Sequence, residues 1–182
     1  MVNQLKNHIA LIGFMGAGKS CIARELSARY GRDYMDLDDF ISALTGETVS
    51  DIFSKQGEQH FRILEFDALE AVLDRPTTTI VACGGGIVTN PDSLALLKSR
   101  SVVVYLRVNP QTALARIDDW STRPLLSSAG STEAVHALAQ SRLALYEAAS
   151  DISVNTDKRD ISAVADCVVE RLKEAGYASL LS

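Results

Sequence analysis

The stretch Ile9-Ala10-Leu11-Ile12-Gly13-Phe14-Met15-Gly16-Ala17-Gly18-Lys19-Ser20 decides the fold. Ile9 to Phe14 is a β-rich apolar run broken by glycine, and Cys21 to Tyr30 continues as a helix. Between them, Gly13 to Ser20 satisfies G-x-x-x-x-G-K-[ST] at every fixed position. With glycine near 7% of average residues, a chance match in a chain of this size is about one percent or less. The motif also lies where its mechanism requires, between a buried strand and a helix. The glycines let successive backbone N–H groups converge on phosphate oxygens, and the helix adds its positive end. Lys19 is placed to neutralise β- and γ-phosphates, and the Ser20 hydroxyl to ligate Mg²⁺. The alternative, a glycine-rich turn without a ligand, explains neither the lysine nor the context.

Working outward, the same alternation of short apolar runs and amphipathic stretches repeats. Strands are expected at Tyr34 to Leu37, Thr78 to Cys83, Ser101 to Leu106 and Ile152 to Val154. Helices are expected from Phe40, from a cap at Ser50 to about Leu73 with an interruption at Gly57, and from Ile161 to Ala175. Asn90-Pro91 and Asn109-Pro110 each pair an N-cap with a first-turn proline. Apolar strands that do not alternate, each followed by a helix, indicate an α/β fold with a parallel sheet covered on both faces. Asp118 to Ser131, with Trp120, Pro124 and Gly130, breaks the rhythm and has the length of a functional lid.

Composition narrows the function. The 182 residues are 47% hydrophobic and 23% charged, enough to bury a full core in one domain. Eighteen Lys+Arg against 23 Asp+Glu give a net charge of −5, which disfavours a nucleic-acid or anionic-membrane partner. Cys21, Cys83 and Cys167 stand far apart in no metal-ligand spacing, consistent with a reduced, cytoplasmic protein. There is no membrane-length apolar run. There is no N-K-x-D guanine motif, which Asn155-Thr156-Asp157-Lys158 matches only loosely. A short chain with a lid suits a kinase for a small acceptor, because closure keeps water from the γ-phosphate.

Several groups could serve the acceptor. Asp36-Leu37-Asp38 ends the second expected strand, where alternation places both carboxylates on one side. One would orient a Mg²⁺-bound water and the other accept from a substrate hydroxyl; a helix cap is an equal reading of the same residues. Arg62 shares a helical stripe with Phe66, Leu69 and Leu73, and Arg142 shares one with Val135, Leu138 and Leu145. An arginine facing a core keeps its charge and needs an anionic partner. Glu65 could supply it to Arg62 one turn on; alternatively the two arginines clamp an acid or phosphate on the acceptor. Gly84-Gly85-Gly86 after a buried strand permits close backbone approach. Arg116 and Arg123 in the lid region could reach the transferring phosphate.

Together these segments resemble shikimate kinase, from about Ile9 to Arg159. The resemblance rests on GFMGAGKS, Asp36-Leu37-Asp38, Asp51-Ile52-Phe53, Gly57-Glu58, Phe61-Arg62 with Glu65, the triple glycine, Arg123-Pro124-Leu125-Leu126, and Arg142 with Tyr146. It implies a three-layer P-loop kinase fold like that of nucleoside monophosphate kinases, with a five-stranded parallel sheet. One kinase domain would then span residues 1–182, with the phosphate loop at 13–20, a substrate-binding region near 36–73 and a lid near 116–131. The implied reaction moves the γ-phosphoryl of MgATP to the 3-hydroxyl of shikimate. By the same resemblance Gly16, Ala17, Gly18, Lys19, Ser20 and Cys21 contact ATP, with Arg116 and Arg159 on the adenine side and Arg123 closing over the phosphates. Asp38 takes the ring hydroxyls and acts as base or orienting group, Arg62 and Arg142 hold the carboxylate, and Gly84, Gly85 and Gly86 meet the substrate through backbone. Ser20 and Asp36 serve Mg²⁺. ATP and shikimate are the expected partners of a monomer. A gluconate-kinase-like enzyme and a catalytically silent nucleotide-binding protein are the alternatives.

Overall fold

The computed structural model describes residues 6–117 and 131–182. Five strands form one parallel sheet: β1 (His8–Ile12), β2 (Asp33–Asp36), β3 (Thr79–Ala82), β4 (Ser101–Arg107) and β5 (Ile152–Asn155). Their order is β2-β3-β1-β4-β5. All of β1 and β3 is buried, as is β4 up to Leu106, whereas β5 alternates and β2 is only partly covered. Continuous apolar runs thus mark the central strands, and weaker runs mark the edges.

The helices are α1 (Lys19–Tyr30), α2 (Leu37–Thr45), α3 (Val49–Leu73), α4 (Pro91–Arg100), α5 (Pro110–Ala115), α6 (Thr132–Ala149) and α7 (Ile161–Glu174). Helix α1 packs against α7 and over β2 and β3, while α4 and α6 pack on β4 and α3 packs on α4. Asn90 and Asn109 cap α4 and α5 through their side chains, each ahead of a first-turn proline, as expected. Gly57 breaks α3 with φ 83° and ψ 169°. Among the described residues no helix is long and apolar enough to cross a membrane.

Three expectations are corrected. Strand β2 ends at Asp36, so Asp38 stands in the first turn of α2 and strand alternation does not relate the two carboxylates. Thr48, not Ser50, caps α3: its hydroxyl accepts from the Asp51 amide. On α6, Leu145 is exposed, and Tyr146 is the buried neighbour of Arg142.

Because the chain runs from β1 to one edge of the sheet and crosses back after β3 to β4, a crevice opens at the carboxyl ends of the central strands. At the opposite end His8 is buried, and its Nδ1 accepts from the Thr79 amide at 3.2 Å, tying β1 to the start of β3. Burial lowers the His8 pKa and Arg100 adds to the effect, against a backbone hydrogen bond with Leu73 that raises it. The imidazole is therefore neutral in the fold, and the stability it contributes is present above about pH 6.5 and lost as pH falls through the depressed folded value. Thermal melts from pH 7.5 to 5.5 should show a loss of stability that the variant His8→Asn, which keeps an acceptor but cannot take a proton, shows less steeply. Parallel curves would remove His8 from this role.

Candidate active site

The phosphate loop is shaped by backbone that only glycine adopts readily. Gly13, Gly16 and Gly18 have φ of 146°, 74° and 90°. Gly13 and Gly16 are also closely packed: a Cβ on either would lie 2.5 Å from a carbonyl oxygen, that of Leu106 and that of Ala113 respectively. Gly18 precedes α1 without a side-chain cap, so the first amides of the helix face the loop. Lys19 bridges the loop, donating to the carbonyls of Gly13 at 2.9 Å and Phe14 at 3.1 Å.

Asp36 links this loop to α2. Its Oδ2 accepts from the Ser20 hydroxyl in a short contact, while Oδ1 caps α2 by accepting from the amides of Asp38 and Asp39. The cap and the proposed metal-site role therefore reside in one carboxylate. Asp38, in the first turn of α2, faces the triple-glycine turn, with Oδ1 3.3 Å from where a Gly84 Cβ would stand.

A cleft of about 940 Å³ runs along this edge. Gly16 to Cys21, Asp36, Asp38, Cys83 and Gly85 line it together with Arg116, Thr156, Arg159, Asp160 and Ile161. Arg116 donates to the Thr156 carbonyl at 2.8 Å and to the Thr156 hydroxyl at 3.2 Å. Arg159, exposed, reaches Cys167 Sγ at 2.8 Å. Burial raises the pKa of the Cys83 thiol, so it stays protonated. Arg123 lies outside the described residues, as does most of the expected lid.

Gly84–Gly86 is where the acceptor candidates meet. A Cβ on Gly84 would lie 2.3 Å from Glu65 Oε1, and one on Gly86 would lie 2.0 Å from Arg62 Nη2. The Gly85 carbonyl accepts from Arg142 Nη1 at 3.3 Å and, in a short contact, from the Tyr146 hydroxyl. Tyr146 in turn stacks on Tyr105 with centroids 5.1 Å apart. Arg62 pairs with Glu65 at 2.7 Å and Glu58 at 2.8 Å. Burial works to lower its pKa, but the charges and hydrogen bonds of these two acids prevail and raise it. The Glu65 side chain is 0% exposed, and burial raises its pKa against the pull of Arg62. Arg62 Nε and Glu65 Oε1 are buried without a hydrogen-bond partner among the described residues.

Glu65 is thus the internal partner of Arg62, and the guanidinium sits beside the glycine turn. Sequence reasoning named Glu65 and Tyr146 but gave neither a place in the site. Their signal was the spacing of three from Arg62 and four from Arg142, which only the packed structure distinguishes from surface or core filling.

The three glycines should differ sharply when replaced. Gly84→Ala and Gly86→Ala must displace Glu65 or Arg62 and should each lower stability by about 1–3 kcal/mol. Gly85→Ala meets nothing closer than 3.6 Å and should melt close to the parent protein. Equal melting temperatures across the three would contradict the packing.

The chain matches the shikimate kinase family model over residues 15–173. It is 38% identical over 93% of its length to a shikimate kinase of Dehalococcoides mccartyi, covering 95% of that protein. It is 37% identical over 82% of its length to one of Xanthomonas oryzae, covering 83% of that protein. The shikimate kinase of Acinetobacter baumannii, solved in complex with shikimate, superposes with a TM-score of 0.88 at 30% identity, covering 94% of this chain and 96% of that one. A gluconokinase of Sinorhizobium meliloti, at 13% identity and a TM-score of 0.56, shares the fold alone. A phosphate loop facing paired arginines across a glycine turn, on this sheet order, agrees with those matches: the chain belongs to the shikimate kinase family.

Proposed function

We propose that this protein transfers the γ-phosphoryl group of ATP to the 3-hydroxyl of shikimate, giving shikimate 3-phosphate and ADP. The observation that carries this reading is the convergence of Arg62, Arg142 and Asp38 on the Gly84–Gly86 turn, beside the loop that holds Lys19. Two guanidinium groups suit the fork geometry of a carboxylate, and Asp38 suits a hydroxyl donor. In gluconate the acid sits on a flexible chain, whereas the rigid spacing of clamp, Asp38 and phosphate loop favours a ring that fixes its acid and hydroxyl relative to each other.

In the proposed reaction the amides of the phosphate loop and Lys19 hold the β- and γ-phosphates, and Arg116, Arg159 and Ile161 line the end of the cleft that receives the base. Asp38 accepts the proton of the attacking hydroxyl as the oxygen closes on the γ-phosphorus in line with the departing ADP oxygen. Arg123, by its place in the R-P-L-L segment, adds charge at the transferring group. Positioning supplies much of the rate, because the acid clamp fixes which hydroxyl faces phosphorus.

The Ser20 hydroxyl and Asp36 carboxylate are hard oxygen donors of the kind Mg²⁺ takes. Ser20 would ligate the ion directly and Asp36 would hold one of its waters. Mg²⁺ held there would supply positive charge that offsets the charge of the phosphates. The protein is further proposed to act as a monomer, since one chain supplies both halves of the cleft, and to work in the cytoplasm, where its three unpaired cysteines persist.

Release of ADP from MgATP, measured with and without shikimate, tests the reaction; turnover that ignores shikimate overturns it. Asp38→Asn should retain nucleotide binding and lower kcat by about 10²-fold or more. A kcat near the parent value would take the proton-accepting role from Asp38. Arg142→Lys keeps the charge but loses the fork, so the KM for shikimate should rise about tenfold or more with the KM for ATP little changed. An unaltered shikimate KM would remove Arg142 from the clamp.

A further inference from the structure

Arg62 meets two carboxylates of very different character. Glu65 is completely enclosed and lies one turn further along α3, so it is a fixed partner that orients the guanidinium through Nη1. Glu58 reaches Nη2 from the rim, with its side chain 47% exposed and a single 2.8 Å contact. The neighbouring Nε is buried and lacks a hydrogen-bond partner among the described residues. Nη2 and Nε together form one two-pronged edge of the guanidinium, the edge a carboxylate engages with both oxygens. Glu58 covers one prong and leaves the other unmet.

An acid that engages this edge with both oxygens must displace the carboxylate already on Nη2. Asp38 is needed for the reaction and Glu65 is enclosed. Glu58 alone has somewhere to go. It directly follows Gly57, whose φ of 83° interrupts α3, so it belongs to the opening turn of the second half of the helix, where an acid is favoured by the unpaired amides and by water.

We propose that Glu58 is a displaceable counter-ion that competes with the acceptor's carboxylate for Nη2 of Arg62 and so sets acceptor affinity and the preference for an acid. The proposal rests on the reading that Arg62 helps hold the acid group. Glu58 is then a positioning and specificity residue, not a catalytic one.

The test compares Glu58→Gln with the parent protein in calorimetric binding of shikimate and of its uncharged methyl ester, with ADP present, alongside steady-state KM values. Removing the competing charge should tighten shikimate binding roughly three- to tenfold, the scale of a partly exposed charge pair. Binding of the ester and the KM for ATP should stay within about twofold. Unchanged or weaker shikimate binding overturns the proposal, as does an equal gain for the ester, which a merely structural effect would give. Glu58→Ala should change binding in the same direction, and keeps the test decisive if Gln itself pairs with Arg62. Arg62→Ala separates the two levels: it should weaken shikimate far more than the ester. If it does so while Glu58→Gln leaves shikimate unaltered, only the counter-ion role fails. If Arg62→Ala leaves shikimate binding untouched, the acid clamp and the counter-ion fall together.

Discussion

The close approach of Glu65 and Arg62 to the backbone of Gly84 and Gly86 is the constraint on which this half of the cleft edge depends. A buried ion pair repays its desolvation only when geometry and further hydrogen bonds are good. Here the pair lies where no side chain intervenes, within one helix, at the three-residue spacing that brings the groups together. Without the glycines the guanidinium would have to turn outward, and its most available partner would be solvent. Tyr146 and Arg142 hold the same turn from α6 through the Gly85 carbonyl, so two helices far apart in sequence are referred to one three-residue turn.

The sheet sets the relation between that turn and the phosphate loop. Strands β1 and β3 are adjacent and parallel, and the Cys83 amide extends their pairing by donating to the Leu11 carbonyl at 3.1 Å. The loop after each strand therefore starts from the same edge at one strand spacing. A Cβ on Gly85 would be 3.6 Å from the Met15 amide and 3.7 Å from the Gly13 carbonyl, so the two loops touch through backbone. Phosphoryl transfer demands little covalent chemistry from protein and much positioning, which hydrogen-bonded strands supply better than flexible side chains.

Much of this was legible in the sequence, for identifiable reasons. The phosphate loop and the central strands announce themselves because glycine spacing and unbroken apolar runs have few other uses. The Asn-Pro caps are local chemistry and appear where expected. What escaped depends on tertiary packing. The end of β2 is an edge-strand boundary only one residue from its expected place, yet that residue moves Asp38 from a strand to a helix. Leu145 and Tyr146 stand three and four residues from Arg142, and a 3.6-residue turn serves both; the stack on Tyr105 buries the second. Glu65 reads as a surface acid in any helix, and only the glycine turn above it allows a carboxylate to be completely enclosed. Arg123 and most of the expected lid fall outside the described residues.

The contacts of Gly13 and Gly16 carry a separate implication. The oxygens of Leu106 and Ala113 occupy the space their side chains would need, so the phosphate loop leans on the end of β4 and on α5 as on two fixed walls. Three residues beyond Ala113, the Arg116 guanidinium touches Thr156 on the opposite bank of the cleft. The shape of the phosphate loop and the Arg116–Thr156 contact therefore hang on a single short helix, and substitutions that tilt α5 would be felt at both places together.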